Sequence, residues 1–344
     1  MTAESAAAVC PNCGRAVSAT DNFCEACRTE LAPAAVSGDG PVMASECAFC
    51  HEEQLTPDGY CESCGRNVPS GRDHLELDLG PLAGVTDKGL RHARNEDAMA
   101  LATAESASGP AVLAVVCDRV SSSRRPDEAS LAAVQAAMRV LLAGVRAGDD
   151  LTETSKAAVA AAQQALAGLD EPDLGDPPSA TFVSAVMTTE TVTLCWLGDS
   201  RAYWLGSGTG SDADRLTCDD SLAGEMVAAG LVSEDAAMAL PGAHVVTGWV
   251  GANSPAAPPH VATFTPPGPG VLLLCSDGLW NYQPEAAGLA GLALPGALTD
   301  PLGAAAALVK FALQAGGADN ITVVLAPFPP AARNPPGENH ADEP

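Results

Sequence analysis

The stretch Val271–Trp280, VLLLCSDGLW, runs five apolar residues straight into Ser276, Asp277 and Gly278. A strand packed on a core has few places for a charge, and its loop-facing end is one of them. The same arrangement recurs along the chain. VLAVVCDRV (Val112–Val120) sets Asp118 after an apolar run, and VTLCWLGDSR (Val192–Arg201) sets Asp199 one glycine past another. Asp319 stands just before ITVVLA (Ile321–Ala326), and Glu96 and Asp97 follow RHARN (Arg91–Asn95). If these acids converge, their mutual repulsion must be offset, and bound divalent cations do that directly. A set of hard oxygen donors favours Mg²⁺ or Mn²⁺ over zinc.

Outward from these runs, strands are expected at 112–117, 181–187, 192–197, 201–205, 245–250, 261–264, 271–275 and 321–325. Helices are expected at 127–146, 153–168, 221–230, 233–239 and 302–315. The first helix opens on Pro126, Asp127 and Glu128 and closes near Gly144, as helices do. The runs at 192–197 and 201–205 flank GDSR, a hairpin signal. Strands follow one another as well as alternating with helices. That pattern favours an α+β fold, with antiparallel or mixed sheets covered by helices, over a doubly wound parallel sheet.

The chain has 344 residues, of which 47 % are hydrophobic, so one large domain and something smaller can be built. Its 43 acidic residues against 17 basic ones give a net charge of −26, which repels phosphate backbones and argues against nucleic-acid binding. No basic, apolar leader opens the sequence. The apolar run around Ala286–Leu298 is too short and proline-broken to cross a bilayer. The expectation is a cytoplasmic protein with no membrane partner.

Eight of the twelve cysteines precede residue 65 and form a repeat. Cys10, Cys13, Cys24 and Cys27 recur as Cys47, Cys50, Cys61 and Cys64, offset by 37 residues at every position. Two CxxC turns about ten residues apart can close a tetrahedron around zinc. Disulfides are disfavoured in a reducing compartment, and a redox motif expects a single CxxC. The repeat therefore predicts two structural Zn²⁺ ions in two small zinc ribbons. The first 70 residues carry ten acids against three bases, so a protein partner suits the ribbons better than nucleic acid. The expected layout is ribbons at 1–30 and 46–68, linkers at 31–45 and 69–81, a globular domain at 82–328 and a disordered proline-rich tail at 329–344.

In order, the chain reads GVTDKGLRHARNEDAMAL, VLAVVCDRVSSS, SATFVSAVM, LCWLGDSRAYWL, RLTCDDSLAGEMVAAGLVSEDA, VVTGWVG, VLLLCSDGLW and GGADNITVVLAPF. Over residues 82–328 this resembles the metal-dependent Ser/Thr protein phosphatases, the type 2C or PPM family, in their bacterial form. The resemblance implies a β-sandwich of two antiparallel sheets flanked by helices, with a centre of two or three Mg²⁺ or Mn²⁺ ions at one end. It implies that Asp118 bridges two ions, that Asp277 and Asp319 are ligands of one, and that the backbone carbonyl of Arg119 serves the other. Asp199 is implied as a ligand of a third ion, and Glu96 as acting through water on the metals. It further implies hydrolysis of phosphoserine and phosphothreonine, with phosphorylated proteins, among them targets of a bacterial Ser/Thr kinase, as partners.

Two positions depart from the family pattern. Arg119 stands where glycine usually follows the bridging acid, and it either crowds the metals or points at the substrate. His92 stands where a phosphate-binding arginine is usual, leaving His92 or its neighbour Arg91 to contact the phosphate. These departures motivate a rival reading, a pseudophosphatase that binds phosphoproteins without turnover. A second rival is chemical: Cys195 and Arg201 have the Cys-x5-Arg spacing of cysteine-dependent phosphatases. Cys195, however, lies inside an apolar strand-like run, as Cys117 and Cys275 do.

Overall fold

The computed structural model describes residues 8–9, 15–17, 35–36, 61–64, 71–120, 126–170, 176–208, 213–254 and 258–330. The chain divides into two compact units, Met1–Ala34 and Ala35–Pro344. In the first, β1 (Ala8–Val9) and β2 (Ala16–Val17) pair antiparallel, with Ala8 opposite Val17.

The second unit begins with β3 (Ala35–Val36), β4 (His74–Asp78), β5 (Ala83–Asp87), β6 (Ala98–Ser106) and β7 (Gly109–Cys117). Two long helices follow, α1 (Pro126–Ala147) and α2 (Leu151–Ala167), then β8 (Ser179–Ala180), β9 (Phe182–Met187), β10 (Val192–Leu197), β11 (Arg201–Gly206) and β12 (Ala213–Arg215). Next come α3 (Leu222–Ala228), α4 (Glu234–Met238), β13 (Val250–Gly251), β14 (His260–Phe264) and β15 (Gly270–Cys275). The last elements are α5 (Asp277–Trp280), α6 (Ala286–Ala297), α7 (Pro301–Ala315) and β16 (Ile321–Phe328).

Two six-stranded sheets result, ordered β14-β10-β9-β7-β6-β3 and β12-β11-β15-β16-β5-β4, with antiparallel pairing throughout. The expected α+β sandwich is what forms. The run Val271–Cys275 is apolar throughout because both faces of β15 are covered. Leu272 and Leu274 enter the layer between the sheets beside Val116, Val183 and Leu194. Val271, Leu273 and Cys275 turn the other way, onto Leu289 and Ala293 of α6 and Leu308 and Val309 of α7. A period of two meets apolar partners on each side, so no polar position is left along the strand.

Helix α1 packs on β6, β7 and α2. Asp127 and Glu128 in its first turn and Arg146 in its last complement the helix dipole. It is also the one helix among the described residues long and apolar enough to cross a membrane, yet 67 % of its most apolar window is buried within the fold. Burial of that kind marks a core helix.

Three sequence expectations are corrected here. Residues 69–81 are not simply a linker, because 74–78 form edge strand β4 on β5. The alternation of Leu75, Leu77 and Leu79 is the signal, and Leu77 and Leu79 pack against the inter-sheet core. Likewise Ala35–Val36, inside the expected 31–45 linker, pairs with β6. Of the strand expected at 245–250, only Val250 joins a strand, β13, and Val246 makes an isolated bridge to Ser221. Val245 is 57 % exposed, and its carbonyl accepts from Leu222 N, while Thr247 N donates to Asp220 O. That segment is laced to the α3 region instead of a sheet. Helix α6, absent from the helices expected from the sequence, is held by tertiary burial of Leu289, Ala293 and Ala297.

Leu273 is fully buried between β15 and the covering helices. Leu273→Ala is expected to destabilise the protein by about 2–5 kcal/mol. In a urea titration the midpoint should fall while the slope stays unchanged.

Candidate active site

Antiparallel register brings the strand-end acids to one end of the sandwich. Ala98 lies opposite Cys117, so Asp97 and Asp118, one residue outside each strand, leave the sheet side by side. Arg201 lies opposite Cys275, and Cys275 opposite Val323. Asp199, Asp277 and Asp319 therefore leave the second sheet at the same end. A cleft of about 590 Å³ opens there, lined by Glu96, Asp118, Asp199, Asp277, Asp319 and His92, with Arg119 and Asp176 at its wall.

Each acid is held by its own local chemistry. Asp118 N donates to Thr181 Oγ1 at 3.1 Å, and Thr181 N donates to Asp118 O at 2.7 Å. Thr181 Oγ1 also meets Ser200 Oγ at 2.7 Å, which ties the GDS turn to the end of β7. Gly198 opens that turn at φ +104°, and a Cβ there would lie 2.9 Å from Thr181. Only glycine suits both the conformation and the space. Asp199 is anchored through its carbonyl, which accepts from Trp280 Nε1 at 2.9 Å. The Trp280 ring lies 3.7 Å beneath the Arg201 guanidinium, and Arg201 is clamped to Asp219 by bonds of 2.9 and 2.7 Å. This stack joins cation–π attraction to a buried bidentate ion pair.

Asp277 begins α5 directly after β15. A Cβ at Gly278 would lie 1.9 Å from Asn320 O, so the glycine in SDG is needed for close passage of the strand-end loop. Asn320 itself stitches the site. Its Nδ2 donates to Lys88 O and Arg94 O, and its Oδ1 accepts from Glu96 N at 2.9 Å. The NED loop is thereby fixed to the start of β16.

Asp97 belongs to the same group, although sequence reasoning gave it no role. Its Oδ2 accepts from Ser276 Oγ and Thr322 Oγ1, each at 2.7 Å. Thr322 Oγ1 stands 2.7 Å from Thr86 Oγ1, which accepts from Asn95 Nδ2 at 2.8 Å. The available signal was its place beside Glu96, directly before β6.

The electrostatics of this end are unbalanced. Burial raises the Asp118 carboxyl well above the usual carboxylate range, and Asp97, Asp277, Asp199 and Asp319 add to the rise. Asp277 is raised in the same way by burial, then by Asp199, Asp319 and Asp97. Burial pushes Asp97 up to about 6, against hydrogen bonds from Ser276 and Thr322, and burial with Asp219 pushes Asp199 up to about 7. Glu96 is also raised by burial, against the pull of Arg119 and His92.

Oδ1 of Asp97 and Oδ1 of Asp277 are buried without a hydrogen-bond partner. Buried carboxylate oxygens in this state are costly unless a cation meets them. The donor set is all oxygen, so it fits hard divalent cations. Among the described residues no three side chains already stand around a common point as metal ligands would.

The cations of the site are arranged differently from the sequence expectation. His92 Nε2 lies 3.1 Å from Asp319 Oδ1. Arg91 is exposed and does not line the cleft. Arg94 Nη1 is 3.8 Å from Asp127 Oδ1, at the start of α1. Arg119 does line the cleft, with Nε 2.6 Å from Glu96 Oε2. The cysteine mechanism finds no support, because Cys195 is buried inside β10 and burial pushes its thiol up to about 12. Of the expected zinc ligands, Cys10, Cys13, Cys24, Cys27, Cys47 and Cys50 lie outside the described residues. Cys61 is buried and Cys64 exposed, at the two ends of a turn.

The family model for Protein phosphatase 2C matches residues 90–285, more than half of the chain. The chain belongs to the protein phosphatase 2C family. A serine/threonine phosphatase, Stp, of Listeria welshimeri is 35 % identical over 147 residues, which cover 42 % of this chain and 55 % of that protein. The chain thus spans about half the length of that relative. The catalytic domain of the Ser/Thr protein phosphatase PstP, solved in complex with two manganese ions, is 25 % identical, with a TM-score of 0.56 over 72 % of this chain and 97 % of that one. The PPM Ser-Thr phosphatase MsPP of Mycobacterium smegmatis, solved with cacodylate, is 27 % identical, with a TM-score of 0.55 over 73 % and 99 %.

The raised carboxyls set a sign for pH. In the folded chain Asp97, Asp118, Asp199 and Asp277 bind protons at a pH where the unfolded chain has released them. Their effect on stability therefore turns unfavourable as pH rises from about 4 through about 7. With chelator present, the melting temperature is expected to be lower at pH 8 than at pH 5.5. Mn²⁺ should raise it more at pH 8, because protons no longer compete for the carboxylates. A melting temperature that climbs with pH in chelator would contradict this electrostatic account.

Proposed function

We propose that this protein is a metal-dependent phosphatase acting on phosphoserine and phosphothreonine in proteins. The observation that carries the reading is the convergence of Asp118, Asp277 and Asp319 on one acid-lined cleft, with buried carboxylate oxygens lacking partners. Asp118 would lie between two Mg²⁺ or Mn²⁺ ions, with Asp277 and Asp319 on one and the Arg119 carbonyl on the other. Asp199 would serve a third ion. When bound, such ions acidify water and offset charge that develops on a phosphoryl group. Glu96, fixed through its backbone to Asn320 and through its carboxylate to Arg119, orients what enters the cleft. The Thr181–Ser200 contact and the Trp280–Arg201–Asp219 stack keep Asp118 and Asp199 in place, so little reorganisation is left to the reaction.

We further infer that the cysteine repeat forms two zinc ribbons, each closed by four thiolates and hence structural. Their acidic composition suits a protein partner. The spacing of the eight cysteines and the duplication at 37 residues support this reading.

With Mn²⁺, the full-length protein is expected to hydrolyse a phosphothreonine peptide and to lose that activity in chelator. Asp277→Asn should lower kcat/KM by at least about 100-fold and weaken Mn²⁺ binding in calorimetry. A folded, Mn²⁺-binding protein that binds phosphopeptide without turning it over would instead establish the non-catalytic binding module. For the ribbons, elemental analysis of the purified protein should find about two zinc equivalents per chain, with Cys13→Ser lowering that content. Zinc-free protein with full thiol reactivity would refute them.

A further inference from the structure

The cleft has to accept a phosphate dianion, yet Glu96, Asp118, Asp176, Asp199, Asp277 and Asp319 all line it. Bound cations neutralise part of that charge, but a point charge does not orient a tetrahedral group. Orientation is what a guanidinium supplies, through paired N–H donors in a fixed plane. Three basic side chains lie in the Arg91–Arg94 stretch, and none presents a guanidinium to the cleft. Arg91 is exposed outside it, His92 is engaged with Asp319, and Arg94 is turned toward Asp127.

Arg119 is the one arginine among the described residues that line the cleft. Its backbone cannot drift. Residue 119 bridges Ala180, flanked by Thr181 N donating to Asp118 O at 2.7 Å and Val120 N donating to Ser179 O at 3.1 Å. The side chain is aimed by Glu96, whose carboxylate takes the Nε edge at 2.6 Å. Arg119 is 26 % exposed at the cleft wall and Glu96 is 16 % exposed beneath it. A guanidinium carries five N–H donors spread over more than one edge, so an ion pair at Nε does not exhaust it.

From this arrangement we propose that Arg119 is the residue that binds the substrate's phosphoryl oxygens, with Glu96 as the positioning residue that aims it. This rests on the phosphatase reading above and identifies which side chain recognises the phosphate. It moves phosphate recognition from the loop before β6 to the end of β7, one residue from Asp118. The phosphoryl group would then be held by a side chain whose backbone is continuous with the central carboxylate, so phosphate and cation sites share one rigid segment.

The test uses full-length, Mn²⁺-loaded protein and inorganic phosphate as the probe, read by calorimetry and independently of turnover. Arg119→Ala is expected to weaken phosphate binding by roughly 10-fold or more. Arg119→Lys should recover only part of that loss, because an ammonium keeps the charge without the fork. Glu96→Gln should weaken phosphate binding less than Arg119→Ala does, and Glu96→Gln combined with Arg119→Ala should weaken it no further than Arg119→Ala alone. Mn²⁺ affinity of Arg119→Ala, measured alongside, should stay within about threefold of the parent or tighten, since a cation has been removed from the wall.

Phosphate affinity unchanged in Arg119→Ala overturns the proposal, as does a loss of equal size in Arg91→Ala with none in Arg119→Ala. Failure of the parent protein to bind phosphate at all overturns it too. Arg119-dependent phosphate binding in a protein that hydrolyses no phosphopeptide would sustain Arg119 as the recognition residue while defeating the catalytic reading.

Discussion

The repulsion among carboxylates gathered at one end of two packed sheets is the constraint around which this molecule is organised. Asp97, Asp118, Asp199 and Asp277 all lie above their ordinary ionisation range, chiefly through burial and then through one another. Such a cluster opposes folding unless something holds it together. Antiparallel register does the holding, because Ala98 opposite Cys117 and Cys275 opposite Val323 leave the flanking acids no other end to occupy. The apolar filling of the sandwich and the covers of α6 and α7 supply the stability against which that local strain is set.

The supporting shell follows from the same constraint. A carboxylate under repulsion rotates away unless its backbone is fixed, and here the fixing groups are neutral or cationic. Ser276 and Thr322 donate to Asp97, Thr181 Oγ1 accepts from Asp118 N, Asn320 Oδ1 accepts from Glu96 N, and Arg201 provides a buried cation balanced by Asp219. Trp280 conveys that balance to the Asp199 backbone. The residues within the motifs GDSR, SDG and DN thus do different jobs. Their acids face the cleft, and the residues beside those acids bind the loops to each other.

Much of this was legible in the sequence because strand-end acids leave a local signature: an apolar run that stops at a carboxylate. Asp118, Asp199 and Asp277 were found that way, and the register brings them together as that reading requires. Asp97 was not assigned a role because a residue that faces inward to Ser276 and Thr322 looks, in the sequence, like its outward-facing neighbour Glu96. The phosphate side of the site was harder still. Whether Arg91, His92 or Arg94 points into the cleft depends on contacts with Asp319 and Asp127, which lie far away along the chain. Strand β4 was obscured by its charged face, since His74, Glu76 and Asp78 alternate with the leucines that pack inward. Helix α6 was obscured by glycines and a proline that tertiary burial tolerates.

The acid wall of the cleft also imposes a sequence in time on the proposed reaction. A phosphate dianion approaching six carboxylates meets a field of its own sign, and a single guanidinium already paired with Glu96 cannot reverse it. Hard cations meet the opposite field and are drawn in. In the proposed reaction cation loading therefore precedes the phosphoprotein, and a chain stripped of its metals turns its substrate away more strongly as rising pH ionises the cleft carboxyls.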